Sequence, residues 1–279
     1  MALFVNRLTH IDVSLWCPER GLVGASWRVD AELDGELGDD GMLFDFGEVK
    51  PWIKSRLDGG IDHTLVIPTD APGVSVSDCA EGVCVRTSSP YSMVVRGPRQ
   101  AFTFLPWSRI TPDNLARHLS EGLSRRPPPR VERITLALSD EAIDGAAYTY
   151  SHGLRRHQGN CQRIAHGHRS RLEIYQHGQR QPLLEARYAD WLADSYLADR
   201  GDVITDGEDP SRLTTAYRSP QGQFRLSLPR ERCRILPTTT TVEQIASWLA
   251  DEIARATATA TRVRAFEGID KGATAEAGA

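Results

Sequence analysis

The chain reads twice, and no other feature of its 279 residues constrains the fold as strongly. Each half opens with a short strand that ends in Thr or Ser followed by His, LTHID around His10 and YSHGL around His152. A loop of about a dozen residues is expected next, then a second, glycine-containing strand, LVGASWRVDAEL in one half and IAHGHRSRLEIY in the other. Laid together, His10 falls on His152 and Val23-Gly24-Ala25 on His166-Gly167-His168.

The next segment of each half has helical spacing, with Val49, Trp52, Ile53 and Leu57 on one face in the first and Tyr188, Trp191, Leu192 and Tyr196 in the second. Hairpin-like stretches follow over residues 72–105 and 211–236, where the alternation of Phe224, Leu226 and Leu228 is the clearest strand signal. Thr111-Pro112 starts a second helix, and Thr241 with Gln244 has the spacing of a capping box for its counterpart, whose apolar face is Ile245, Trp248, Leu249 and Ile253. RITLALSDE and TRVRAFEG close the halves as strands. The expected unit is β-β-α-hairpin-α-β, an antiparallel sheet with two helices on one face, present over residues 1–147 and again over 148–279. SRRPPPR reads as a loop inside the first unit, and the small polar tail after Lys271 as frayed.

Hydrophobic residues at 40% and charged residues at 25% suit a packed globular chain. A net charge of -4 with no concentrated basic face argues against nucleic acid or a membrane surface as partner. No apolar run approaches the roughly 18–20 residues of a membrane span, and the amino terminus does not resemble a signal peptide. The cysteines at 17, 79, 84, 161 and 233 form neither a disulfide framework nor a CxxC knuckle, which points to a reducing, cytoplasmic setting.

The chemistry concentrates in HGLRRHQGNCQRIAHGH. Alternate residues of a strand share a face, so His166 and His168 project together, and His152 ends the strand expected to pair beside them. An HxH pair alone is more often a polar strand face. A third histidine on the neighbouring strand and a cysteine in the intervening loop turn the reading toward zinc with an open fourth position. Cys161 fits a fourth ligand, a buried filler, or a nucleophile or base.

Together with Gly41-Met42-Leu43-Phe44-Asp45-Phe46, Asp62-His63 and Glu267, this pattern resembles the 6-pyruvoyl-tetrahydropterin synthase/6-carboxytetrahydropterin synthase family. The resemblance covers nearly the whole chain and implies a tandem T-fold, α+β in class, that assembles into a barrel-like homo-oligomer. It implies zinc on His152, His166 and His168, Cys161 as base with the Asp62-His63 pair moving protons, and Glu267 as anchor for the pterin edge. The substrate it implies is 7,8-dihydroneopterin triphosphate. The expected product is 6-carboxytetrahydropterin, on the way to queuosine and other 7-deazapurines. A pyruvoyl product, side-chain cleavage toward folate, and an inactive pterin-binding protein are the alternatives. Arg155, Arg156, His157 and Arg163 flank the metal loop as candidate contacts for a triphosphate.

The halves differ in a complementary way. The first has Val23 and Ala25 at two ligand positions but carries Asp62-His63; the second has the ligands and Cys161 but only Asp202-Val203 where an Asp-His pair is expected. One active site divided between the halves accounts for both losses. Asp140 or Glu141 then stands structurally in the place of Glu267.

Overall fold

A computed structural model describes residues 1–204 and 209–279. Strands β1 (Ala2–Cys17) and β2 (Gly21–Gly35) form a long antiparallel ladder. The loop of a dozen residues expected between them is absent: only residues 18–20 intervene, and Gly21, at φ +88°, takes the left-handed backbone that a tight reversal needs. Helix α1 (Phe46–Gly59) is capped by Asp45, whose side chain accepts from the Gly47 amide, and it buries Val49, Ile53 and Leu57. The remaining strands of the first half are β3 (Leu65–Pro68), β4 (Ser75–Cys79), β5 (Gly82–Thr87), β6 (Met93–Gly97), β7 (Phe102–Leu105) and β8 (Val131–Asp140). Helix α2 (Pro112–Ser124) lies between β7 and β8 and carries a complete Thr111–Asn114 capping box.

The second half repeats the plan. It consists of β9 (Ala147–His152), β10 (His166–Gln176), β11 (Gln179–Arg180), α3 (Pro182–Leu192), β12 (Ser195–Asp199), β13 (Val203–Ile204), β14 (Arg212–Ser219), β15 (Gly222–Pro229), β16 (Cys233–Leu236), α4 (Val242–Thr257), β17 (Thr261–Phe266) and β18 (Gly272–Ala277). Three local expectations are corrected. Tyr196 belongs to β12, because α3 stops at Leu192 and Asp194 turns the chain at φ +54°. Thr241 is the first boundary residue of α4 but its side chain caps nothing, and Gln244 instead accepts from Thr238. The tail after Lys271 is strand β18, not frayed: Gly268 and Asp270 reverse the chain with positive φ, and Ala273, Ala275 and Ala277 then reach the core under α4.

Among the described residues, three sheets result. The first half orders β7-β3-β1-β2-β8, and the second orders β16-β12-β9-β10-β17-β18 with β11 on β10. The hairpins of both halves merge into a third sheet, β13-β14-β15-β6-β5-β4, sewn across the halves by β15 against β6. One core lies between the first sheet and α1 and α2, a second between the second sheet and α3 and α4, and a third joins the halves around Trp16, Tyr196, Phe224 and Leu226.

Strand register relates the halves residue by residue. Ser14 pairs with Gly24 on β2 and with Leu65 on β3; Ser151 pairs with Gly167 on β10 and with Tyr196 on β12. The two serines hydrogen-bond to each other at 2.6 Å, and Gly24 meets Gly167. A Cβ on Gly24 would come within 2.1 Å of the Tyr150 carbonyl oxygen and 2.5 Å of that of His168, both backbone atoms. Gly24→Ala is therefore expected to cost at least the roughly 1–3 kcal/mol typical of overpacking. Denaturant unfolding measures it, and a midpoint equal to the parent's would refute so close an approach of the halves.

Candidate metal centre and active site

The expected pairing of β9 with β10 is met, with His166 opposite His152 and His168 opposite Tyr150. Residues 153–165 form the loop between them, so His152 leaves β9 just where His166 starts β10. The three rings converge, with centroids 4.3 Å apart for His152 and His166, 5.3 Å for His152 and His168, and 5.5 Å for His166 and His168. All three histidines are buried.

The Nδ1 atoms of His152 and His166 have hydrogen-bond partners, and that of His168 approaches a carboxylate at ion-pair distance. His152 Nδ1 lies 2.9 Å from the Thr240 carbonyl, His166 Nδ1 3.1 Å from that of Arg163, and His168 Nδ1 3.3 Å from Asp12 Oδ1. The three Nε2 atoms are buried with no hydrogen-bond partner. Orphaned buried nitrogens are costly, and a ring nitrogen from each of the three histidines lies within 4.8 Å of the others, an arrangement a cation would satisfy. Burial, and after it the neighbouring histidines, holds the His152 and His166 pKa values well below the usual imidazole range, so both rings stand neutral, the form that ligates. The residues fit a divalent metal with nitrogen ligands.

The first half supplies the next group. Asp62 and His63 follow α1, and His63 takes φ +56°, a conformation seldom adopted by a non-glycine residue and one that clusters at functional sites. Its amide donates to the Asp12 carbonyl at 2.7 Å, and its Nδ1 lies 2.6 Å from Asp62 Oδ2. The ring reaches across to the second half, 5.1 Å from that of His166. Ligating atoms of His63, Cys161 and His166 lie within 4.8 Å of one another, so the Asp62-His63 pair and Cys161 meet inside a single chain. Burial alone would lower the His63 pKa; hydrogen bonds and charge from Asp62 and Cys161 outweigh it and raise it to about 10.

Glu267 closes the other side, its Oε1 4.0 Å from His168 Nε2 and its side chain 24% exposed. Its amide donates to the Lys271 carbonyl across the turn into β18. Arg163 donates to the Asp62 carbonyl at 3.2 Å, bracing the loop from the first half, and Arg155 pairs with buried Asp202 at 2.6 Å. Arg155, Arg156 and His157 share a separate small cavity of about 160 Å³ with Thr239 and Thr241. Gly41–Phe46 leads into α1, where Asp45 is the cap.

Register corrects two assignments. The position matching His152 is Leu15, not His10, so all three ligand positions of the first half are apolar: Leu15, Val23 and Ala25. The match to Asp62-His63 is Ala193-Asp194, not Asp202-Val203. Asp194 has φ +54° and donates its amide to the Thr149 carbonyl, as His63 does to that of Asp12. Trp27 opposite Asp140 on β2 and β8 places Asp140 in the position of Glu267.

Sequence reading missed Asp12. It is 1% exposed, and its Oδ1 accepts from Ser26 Oγ at 2.5 Å while its Oδ2 lies 3.2 Å from Lys271 Nζ. Burial would raise its pKa; His168, then Lys271 and Ser26, hold it below the ordinary carboxylate range. Its one sequence signal is the acid two residues after His10 in LTHID, which carries no weight without the fold.

A family model for 6-pyruvoyl tetrahydropterin synthase matches the chain twice, over residues 10–150 and 143–278. The chain belongs to this family. Its fold is the family's T-fold in tandem. Among curated relatives, a putative 6-carboxy-5,6,7,8-tetrahydropterin synthase of Pyrococcus horikoshii is 20% identical over 128 residues, 46% of this chain and 74% of that protein. Among solved structures, 6-pyruvoyl tetrahydropterin synthase of Plasmodium vivax is similar with a TM-score of 0.42 and 15% identity, over 52% of this chain and 93% of that one. The Plasmodium falciparum enzyme gives 0.38 and 14%, over 50% and 90%. No helix among the described residues is long and apolar enough to cross a membrane, and the five cysteines are all free thiols.

Proposed function

We propose that this member of the tetrahydropterin synthase family is a zinc-dependent lyase that takes 7,8-dihydroneopterin triphosphate and water to 6-carboxytetrahydropterin, a precursor of 7-deazapurines such as queuosine, with the triphosphate leaving and the outer two side-chain carbons released as acetaldehyde. The observation that carries the reading is the set of three buried, unpartnered Nε2 atoms beside the His63–Cys161 pair. His152, His166 and His168 would hold the zinc, which when bound supplies Lewis-acid stabilisation of negative charge on a substrate oxygen. The units 1–147 and 148–279 then divide one site between them, the second giving the ligands and Cys161 and the first giving Asp62 and His63.

Cys161 takes a proton from the substrate side chain. His63 returns one at the adjacent carbon, its ring fixed by the Asp62 carboxylate at 2.6 Å. Glu267 accepts two donors from the pterin edge in a fork. The setting is cytoplasmic and the working form a homo-oligomer; neither nucleic acid nor membrane has a role. Incubation with zinc and dihydroneopterin triphosphate, followed by mass spectrometry, is expected to give the carboxy product. A pyruvoyl or side-chain-cleaved product would move the assignment within the family, and a zinc-loaded protein that neither binds nor converts the substrate would defeat it.

Glu267→Gln places an amide donor where the carboxylate offers only acceptors. One charge-assisted bond is lost, about 1.5–3 kcal/mol or one to two decades in affinity for a pterin product, with zinc retained. Titration calorimetry checks this, and unchanged affinity would put the anchor elsewhere.

A further inference from the structure

We infer that Asp12, on β1 of the first half, is a positioning residue for the metal centre of the second: it fixes the His168 ring so that Nε2 faces the metal. The inference rests on the metal reading above and adds a residue to it. His152 and His166 have their Nδ1 atoms held by carbonyls of their own half, Thr240 and Arg163. His168 differs, because its Nδ1 faces a carboxylate from the other half at 3.3 Å. A carboxylate behind a ligating imidazole favours the tautomer with the proton on Nδ1, orients the ring and raises the basicity of the ligating nitrogen.

Asp12 is itself held from four sides. Ser26 Oγ donates to Oδ1, Lys271 Nζ lies 3.2 Å and His10 Nε2 3.6 Å from Oδ2, and the Asp12 amide donates to Asp62 Oδ1 at 2.8 Å. Its carbonyl accepts from the His63 amide at 2.7 Å. One residue of β1 thus touches both the metal ligand His168 and the Asp62-His63 pair, which ties the position of the proton-transfer group to that of the metal. Gly268 permits this. A Cβ there, at φ +69°, would come within 2.5 Å of Asp12 Oδ1 and 2.9 Å of Ser26 Oγ, so the turn that carries Glu267 lies directly on the carboxylate.

The position matching Asp12 in the second half is Thr149, and the one matching His168 in the first is Ala25. The acid is therefore present on only one side of the internal symmetry, the side where a histidine faces it.

Zinc affinity is measured by competition with a chelator on the full chain, and the His168 tautomer by ¹⁵N NMR of imidazole-labelled protein without metal. Asp12→Ala is expected to weaken zinc binding about 10–100-fold, the usual effect of losing such a partner, and to turn a dominant Nδ1–H signal of His168 into a tautomer mixture. Asp12→Asn keeps an acceptor of the same shape without the charge. It is expected to retain the Nδ1–H tautomer and to lose about tenfold in zinc affinity, and it carries the test if the alanine variant does not fold. A role limited to holding the halves together would lower thermal stability and leave the tautomer unchanged. Parent affinity and parent tautomer in both variants would overturn the inference; a parent protein that takes up no zinc would overturn the metal reading itself.

Discussion

Purified with zinc supplied, the chain is expected to carry about one metal ion, and His166→Ala none. The stoichiometry follows from the internal comparison: the second half converges three buried nitrogens, and the register-matched positions of the first are Leu15, Val23 and Ala25, which have no donor atoms. His166 is the sharpest position because it is common to both histidine-containing clusters, the one with His152 and His168 and the one with His63 and Cys161. The remaining variants separate the two clusters. If the metal sits where the orphaned Nε2 atoms converge, His152→Ala and His168→Ala lose it while His63→Ala keeps it. His10→Ala keeps it as well, since His10 is 37% exposed and lies five residues from the ligand-matched position, Leu15. Elemental analysis decides the matter. Two metal ions per chain, or none in the parent, would defeat the assignment.

His63→Ala is expected to retain zinc and lose about 10²–10⁴-fold in turnover, the range for a general acid–base group. The expectation rests on position: His63 is fixed by Asp62 on one side and reaches Cys161 and His166 on the other. Cys161→Ala should fall as far. Because these groups meet within one chain, mixing the two inactive variants should restore nothing, even in assemblies shown to contain both. Each chain then lacks one member of its own pair, and no neighbour supplies it. Recovered activity would mean that the pair that works in solution is made between chains. Parent-like turnover in His63→Ala, or in residues 148–279 alone, would remove the first half from the chemistry altogether.

The repeat, the HxH strand with a third histidine beside it, and the Asp-His pair were legible in the sequence because each depends on local chemistry. Alternation along a strand fixes which side chains share a face, and imidazole is a donor wherever it is placed. Helices α1 and α4 were legible for a similar reason, since their apolar residues recur at helical spacing, and α2 was legible from Thr111-Pro112 at its start. Correspondence between the halves was beyond the sequence. Two strands joined by three residues and two joined by thirteen cannot be aligned by eye, and only hydrogen-bond register showed that Leu15 matches His152 and that Asp194 matches His63. The fate of the tail was likewise decided by partners distant in sequence, because GATAEAGA has weak strand propensity of its own and becomes β18 by pairing with β17 against α4.

The sequence by itself determined the repeat, the class of fold and the histidines that come together on β9 and β10. The tertiary structure alone decided that His63 and Cys161 meet within one chain, and that Asp12, 156 positions from His168, lies 3.3 Å from its Nδ1. The physical reason is the bare backbone contact of Gly24 with Gly167. It lets the halves approach closely enough for a carboxylate of one to be buried against an imidazole of the other.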